Sequence, residues 1–345
     1  MNSVLVTGGA GYIGSHMVQA LRRAGYRAVI LDNLHEGHRA AVRDEELIEG
    51  DLGDKGVVRA VLRRHRPQAI FHFAASCSVA ESVAQPLKYY LNNVSGTLNL
   101  LEAALDVGVS RFVFSSTAAL YGEPQETPIT ESHPLVPINP YGWSKLMGEQ
   151  LLRDASEAYG IRYVAFRYFN AAGADIDADL GEDHRPETHL IPLAVKAAME
   201  LGEELKVFGT DYDTPDGSCI RDYVHVLDLV GAHLRGLEYL ENEGESVSIN
   251  LGTETGTSVL EVLRAVERVT GLPVPHTLAP RRPGDPAVLV ASNRKAKEVL
   301  DWEPRRDLDA MIRSAYDFLR RNPGGYPQVE AAEGWPLVPE PSRQN

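Results

Sequence analysis

"SVLVTGGAGYIG", residues 3–14, decides how the rest of the chain is read. Val4–Thr7 is a short β-rich run that meets Gly8, Gly11 and Gly14, spaced G-x-x-G-x-x-G. Glycine has a steric reason here. A tight strand-to-helix turn needs positive φ, and a diphosphate must approach the backbone without meeting a Cβ. From Tyr12 and Ile13 a helical pattern runs through Met17, Leu21 and Ala24 until Gly25 stops it. The N-terminus of such a helix offers free N–H groups and a positive dipole end to phosphates. "RAVILDN" (27–33) is a second strand and carries Asp32, 18 residues past Gly14. A carboxylate there accepts hydrogen bonds from a ribose diol and repels a 2′-phosphate, which predicts NAD rather than NADP.

Outward from this turn, strands alternate with helices. "LIEGDL" (47–52) reads as a third strand, "VVRAVLRRH" as a helix, and "AIFHFAA" (69–75) as a fourth strand. "VSGTLNLLEAALDVG" is a helix with an apolar face, and "RFVFSSTAALYG" (111–122) is a fifth strand. A helix from about 141 to 159 and the strand "RYVAFRYFN" (162–170) follow. Such alternation predicts an α/β fold, a Rossmann-type doubly wound parallel sheet with crossover helices. After about Ala171 the composition turns acidic and loop-like, and later segments carry more Gly and Pro. The expected organisation is a cofactor domain over 1–171, rejoined by about 221–240, a smaller C-terminal α/β substrate domain over 172–326, and a tail over 327–345.

The totals bound the class. The 345 residues are 43% apolar, enough for a core, and the charges give 34 − 48 = −14. So acidic a chain repels nucleic acid and anionic membrane surfaces, and an anionic substrate must be met by local arginines. Cys77 and Cys219 lie far apart, with no CxxC or Cys/His cluster, so the sequence predicts no metal site and no disulfide. No stretch approaches about 18 uninterrupted apolar residues, and no leader pattern precedes Val4. A cytoplasmic protein in a reducing compartment is expected.

The chemistry centres on "NPYGWSKLMGEQ" (139–150). Asn139 and Pro140 make a helix start, and Tyr141 and Lys145 share a face four residues apart. An ammonium and a helix N-terminus beside a phenol are expected to lower a pKa that starts near 10, making Tyr141 a proton carrier near neutral pH. The fifth strand brings Ser115, Ser116 and Thr117 to the carboxyl edge of the sheet, where ligands bind. Thr117 could hydrogen-bond a substrate oxygen, and the three groups fit an alcohol–carbonyl redox site.

Together "TGGAGYIG", "LDNL", "EGDL", "FHFAA", "FSSTAALYG", "PYGWSK", "RYFNAAGA", "FGTDYDTPDGSCIRDYVHVLDL", "NLGT" and "APRRPGD" resemble the UDP-glucose 4-epimerase family of extended short-chain dehydrogenases/reductases, from about Val4 to Tyr326. The glycine and Y-x-x-x-K motifs mark only the superfamily; "DYDTPDGSCIRDYVHV" is more specific. The resemblance implies tightly held NAD. It implies that Tyr141 takes the sugar 4-OH proton, that Thr117 contacts the 4-oxygen, and that Lys145 also reaches the nicotinamide ribose. The 4-keto sugar then turns over and is reduced on its other face. By the same resemblance Asn33, Asp51, Leu52, Phe73, Ala74, Ala75, Asn92, Ser115 and Tyr168 line the cofactor. Asn170, His189, Leu190, Arg221, Tyr223, Arg282 and Asp285 face the UDP-sugar. A homodimer pairing the helices near 90–107 and 141–159 is implied too.

Three departures stand out against that pattern. The lysine that many relatives carry near Cys77 is missing, which predicts weaker cofactor retention or a substitute cation. His189 replaces an asparagine but can still donate a hydrogen bond. Leu289 stands near a pocket position that is tyrosine in some relatives, leaving room for N-acetylated sugars. Among rivals, a UDP-xylose/UDP-arabinose 4-epimerase uses the same chemistry. A 4,6-dehydratase needs titratable residues where Ala118 and Ala119 stand. A non-catalytic NAD sensor would not need Thr117, Tyr141 and Lys145 together.

Overall fold

A computed structural model describes residues 2–177, 179–202, 204–282 and 285–327. The central sheet has seven strands, all parallel: β1 (Ser3–Thr7), β2 (Arg27–Asp32), β3 (Glu46–Glu49), β4 (Ala69–His72), β5 (Arg111–Ser115), β6 (Arg162–Tyr168) and β11 (Val247–Leu251). Their spatial order is β11-β6-β5-β4-β1-β2-β3. This is the doubly wound arrangement, and its order reverses between β1 and β4, the place where such sheets bind ligands. Buried Val4, Val6, Ile30, Phe71, Val113, Val164 and Phe166 fill one face, while Leu5, Val29, Ile70, Phe112 and Ala165 fill the other. Period-2 alternation thus supplies both layers, as a sheet covered by helices on two sides requires.

Helices α1 (Tyr12–Arg23), α2 (Lys55–His65), α3 (Val79–Ala84), α4 (Pro86–Tyr89), α5 (Gly96–Val107) and α6 (Pro140–Tyr159) follow the strands in turn. Residues 90–95 form a π-helical turn between α4 and α5. Asp54 caps α2 through two backbone N–H groups, and Gly108 and Gly160, in left-handed conformations, end α5 and α6.

Beyond β6 lie β7 (Asn170–Ala172), α7 (Leu190–Ala198), β8 (Leu205–Phe208), β9 (Ile220–Arg221), β10 (Tyr223–His225) and α8 (Val226–Glu241). After β11 come β12 (Thr257–Ser258), α9 (Val259–Thr270), β13 (His276–Ala279), β14 (Val288–Leu289), α10 (Arg294–Leu300) and α11 (Leu308–Arg321). α7, α9 and α11 pack into a second core. α8 returns to pack on α1, β5 and β6.

Two expectations are corrected. The run 111–122 is a strand only to Ser115; the Thr117 side chain then accepts from Ala119 N and starts a 3-10 turn over Ala118–Leu120. Residues 247–251, placed by sequence in the substrate domain, form β11 of the central sheet, with all five residues in register with Val164–Tyr168. The tail from residue 328 lies outside the described residues.

Candidate active site

The glycine turn fits a dinucleotide on steric grounds. Gly8 sits at φ +72°, and a Cβ there would stand 2.5 Å from Ala74 N. A Cβ on Gly14 would stand 2.0 Å from Gly8 O, so helix and turn can approach only with hydrogen at that position. No side chain caps α1, which leaves its first N–H groups, at Tyr12 and Ile13, for an anion. Phe73 N and Ala74 N both donate to Thr7 O, setting the Phe73–Ala75 segment beside the turn. Asp32 ends β2 and accepts from Ala10 N (2.9 Å) and Leu34 N (2.8 Å). Burial raises its pKa against those bonds. Asn33 Nδ2 donates to Asp51 Oδ2 at 2.7 Å, and Leu52 is buried beside Asn99, whose amide binds its carbonyl. The fold therefore brings Gly8, Gly14, Asp32, Asn33 and Asp51 to one edge.

At the neighbouring strand ends stand a hydroxyl, a phenol and an ammonium group. Asn139 caps α6 through Gly142 N, with Pro140 in the first turn, so Tyr141 enters from the helix N-terminus. The Thr117 hydroxyl lies close enough to the Tyr141 phenol to favour its ionised form, against the larger effect of burial. The Tyr141 ring meets Tyr89 edge to face, with centroids 6.3 Å apart. Lys145 is buried, donates to Ser115 O at 2.8 Å, and lies over the Phe114 ring. Ser115 Oγ and Tyr168 Oη share a very short contact. Thr117, Tyr141, Lys145, Ser115 and Tyr168 thus lie together at the ends of β5 and β6 and the start of α6.

Their electrostatics are not as predicted. Burial pushes the Tyr141 phenol far above its ordinary value, and Lys145 is not among the main influences on it. Burial also brings Lys145 down to about 8. In the protein alone the cost of desolvating a phenolate exceeds what the cationic neighbour returns. The expectation of a phenol made acidic by its lysine is corrected accordingly.

The π-helical turn changes which asparagine faces inward. Asn93 is buried, accepts from Ser76 N and donates to Ser76 O and to Ser144 Oγ of α6. Asn92, the residue predicted, is half-buried and reaches Ser76 Oγ. Behind the site, Glu149 and Arg167 form a buried bidentate pair at 2.9 and 2.6 Å. Ser116 and Ser248 also donate to Glu149, tying β5, α6, β6 and β11 together. No motif marked it. Cys77 is exposed, and its charge would be felt at Tyr141, Lys145 and Tyr168. The two cysteines are free.

Of the residues expected to face the UDP-sugar, Arg221 and Asp285 are ion-paired to each other. Arg282 stacks on the Phe208 ring at 4.0 Å, a support the sequence reading missed. Leu289 is aligned with Arg221 in the β9–β14 register, and Asn170 with Tyr223 in β7–β10. Tyr223 is largely buried in the second core, where burial raises its pKa. His189 caps the start of α7 ahead of Leu190, but its Nδ1 faces Glu182 and Glu187 at 2.7 and 3.2 Å. Burial opposes protonation there, yet those carboxylates hold His189 well above its usual range. No titratable side chain occupies Ala118–Leu120, which disfavours the dehydratase alternative. Among the described residues no helix is long and apolar enough to cross a membrane.

The chain was compared with known proteins. Residues 4–252 match the model of the NAD dependent epimerase/dehydratase family. The UDP-glucose 4-epimerase of Rhizobium meliloti is 54% identical over 94% of this chain and 99% of its own length. Among solved structures, UDP-glucose 4-epimerase from Brucella ovis in complex with NAD superposes with a TM-score of 0.90 at 49% identity, covering 92% of this chain and 98% of that one. The Bifidobacterium longum UDP-glucose 4-epimerase in complex with NAD+ and UDP gives 0.89 at 38%, covering 94% and 100%. A glycine turn shaped for a diphosphate, a tyrosine–lysine–threonine cluster beside it, and these matches place the chain in the NAD dependent epimerase/dehydratase family.

Proposed function

We propose that this chain inverts C4 of a UDP-hexose, interconverting UDP-glucose and UDP-galactose through a transient 4-keto sugar, with NAD as a resident cofactor. The observation that carries the reading is the placing of the Thr117 hydroxyl beside the buried Tyr141 phenol, with Lys145 on the next turn of α6, at the ligand-binding edge of the sheet. The phenol is the titratable member of the Thr117–Tyr141 pair, and the hydroxyl beside it can hold a sugar oxygen at hydrogen-bond distance from it.

Bound NAD+ would supply a hydride acceptor and a positive charge. The chain's own residues do the rest. Asp32, Asn33 and Asp51 receive the adenosine end, and the bare turn of Gly8–Gly14 admits the diphosphate. Thr117 orients the sugar 4-oxygen toward Tyr141, which accepts its proton and later returns it. Lys145, fixed by Ser115 O, holds a positive charge beneath the site. Arg221, released from Asp285, and Arg282 meet the UDP diphosphate through planar guanidinium forks. The two directions of the reaction use the same groups, so no second redox substrate is consumed.

The assembly that goes with this reading is a homodimer. Leu87, Leu91, Leu98 and Leu105 expose apolar side chains along α4 to α5, and Trp143 and Met147 do so on α6. A second copy burying these helices against their equivalents would cover that stripe. Free thiols and the substrate class support a role in cytoplasmic galactose metabolism.

The test follows the sugar by NMR. Purified protein with UDP-galactose should accumulate UDP-glucose with no net change in dinucleotide oxidation state. Failure to invert C4 in NAD-saturated, folded protein would sink the reading.

A further inference from the structure

A second cluster lies outside the proton-handling site. Glu182, His184, Glu187 and His189 each present one ligand atom, and these atoms all lie within 4.8 Å of one another. The segment "GEDHRPETH" holds them in a loop that ends on the cap of α7. Both imidazoles turn Nδ1 inward. His184 Nδ1 stands 3.3 Å from Glu182 Oε1 and 3.8 Å from Glu187 Oε1; His189 Nδ1 stands 2.7 and 3.2 Å from the same oxygens.

Two of those four separations, 3.2 and 3.3 Å, equal the edge of a coordination tetrahedron, and the other two, 2.7 and 3.8 Å, fall about 0.5–0.6 Å either side of it. With metal–ligand bonds of about 2.0–2.1 Å, ligand atoms lie about 3.3 Å apart. Hydrogen bonding leaves the group incomplete. His184 Nδ1 is buried and makes no hydrogen bond, although it faces both carboxylates. The Glu187 side chain is only 4% exposed, its carboxylate faces both rings, and its Oε2 has no partner. Glu187 Oε1 is itself oriented by Thr188 N and His189 N, at 2.8 and 2.9 Å. Such outer support is characteristic of ligating carboxylates.

We infer that Glu182, His184, Glu187 and His189 form a binding site for a divalent zinc-type cation. Two imidazole nitrogens and two carboxylate oxygens suit zinc better than magnesium or calcium, which take oxygen ligands. Four protein ligands close the coordination sphere, so the site is structural and has no open position for chemistry. Its place explains a use. His184 packs edge-on against Tyr12, the first residue of α1, at 6.4 Å, and His189 is the cap of α7. A cation here pins the start of α7 to the glycine-turn end of the cofactor-binding layer. It also commits His189 Nδ1, leaving only Nε2 of that ring for a substrate diphosphate.

The test uses tag-free protein stripped with chelator, dialysed against zinc alone, and analysed for metal and for thermal unfolding. We expect about one zinc per chain and a rise in unfolding temperature with zinc. His184→Gln and Glu187→Gln should each weaken zinc retention at least tenfold. Cobalt in place of zinc should give the intense visible bands of tetrahedral coordination in the wild type and lose them in both variants. Zinc retention equal in wild type and folded variants, or none in the wild type, overturns the inference. If the variants do not fold, X-ray absorption on the zinc-dialysed wild type decides. Two imidazoles and two oxygens near 2.0 Å support the site; a six-oxygen shell or no bound zinc refutes it.

Discussion

Tyr141→Phe separates chemistry from architecture more cleanly than any other single change. It removes one oxygen. The ring keeps its edge-to-face contact with Tyr89 at 6.3 Å, and Thr117 keeps its bond from Ala119 N at 3.2 Å. The structural loss is therefore confined to the phenol's approach to the Thr117 hydroxyl, at most one neutral hydrogen bond, worth about 0.5–1.5 kcal/mol. If Tyr141 carries the proton, the kinetic loss is about 10²–10⁴ in turnover, or about 3–5 kcal/mol of barrier. Three readouts are needed: initial rates with UDP-galactose, thermal unfolding, and dinucleotide released on denaturation. The expected variant unfolds within a few degrees of wild type, keeps its dinucleotide and has lost at least a hundredfold in rate. Turnover within threefold of wild type would refute the assignment. A rate loss matched by unfolding or by lost dinucleotide would show the hydroxyl to be structural.

Gly14→Ala places a Cβ 2.0 Å from Gly8 O, a backbone atom that cannot rotate away; bound dinucleotide should fall to near zero, and a variant that retains it normally would contradict the turn's role. Glu149→Gln leaves Arg167 charged and buried, and should cost about 3–5 kcal/mol in denaturant unfolding; the double change Glu149→Leu, Arg167→Leu should recover much of that loss. Lys145 has its folded pKa depressed to about 8, below the unfolded value, so the unfolded chain binds the extra proton between about pH 8 and 10.5. Wild-type stability should therefore rise relative to Lys145→Met across that window, by about 1 kcal/mol per pH unit, and a flat difference would argue against the burial. Leu289→Tyr narrows the space beside Arg221 and should lower the rate on UDP-N-acetylglucosamine more than on UDP-glucose; an equal effect on both sugars would remove Leu289 from the pocket.

Much of the fold was legible because its signals are local. A glycine triplet between a β-rich run and a helix, with an acid at the next strand's end, depends on residues within about thirty positions of each other. The Tyr141–Lys145 pair depends on one helical turn, and Asn139-Pro140 announces where that helix starts. Other features needed the chain to close on itself. "SSTAALYG" has strand-like composition, yet the Thr117 side chain competes for Ala119 N and ends the strand at Ser115. β11 is five residues of ordinary composition, recognisable only once β6 offers it an edge. The Glu182–His189 cluster carries no cysteine, and the histidine spacing in a loop gave nothing that a search for CxxC patterns could detect.

The largest disagreement concerns the proton itself, and it bears on mechanism. Charge neighbours can be counted along a sequence, whereas desolvation depends on what encloses a group from every direction. Lys145 is near Tyr141 in the helix, but its ammonium is fixed on Ser115 O and has lost part of its own affinity for a proton. Burial acts on both members in the neutralising sense, raising the phenol and lowering the amine. A protein built only from this pair would hold Tyr141 protonated at neutral pH and be idle as a base. The arrangement becomes reactive when a further positive charge enters the same enclosed volume, because low dielectric strengthens that attraction as it strengthened the penalty. If Tyr141 is the proton carrier proposed above, its ionisation would depend on occupation of the glycine-turn site. Titrating the phenol by ultraviolet difference spectroscopy in dinucleotide-free and NAD+-loaded protein should show the loaded form ionising at lower pH. Identical titrations would mean that the base lies elsewhere.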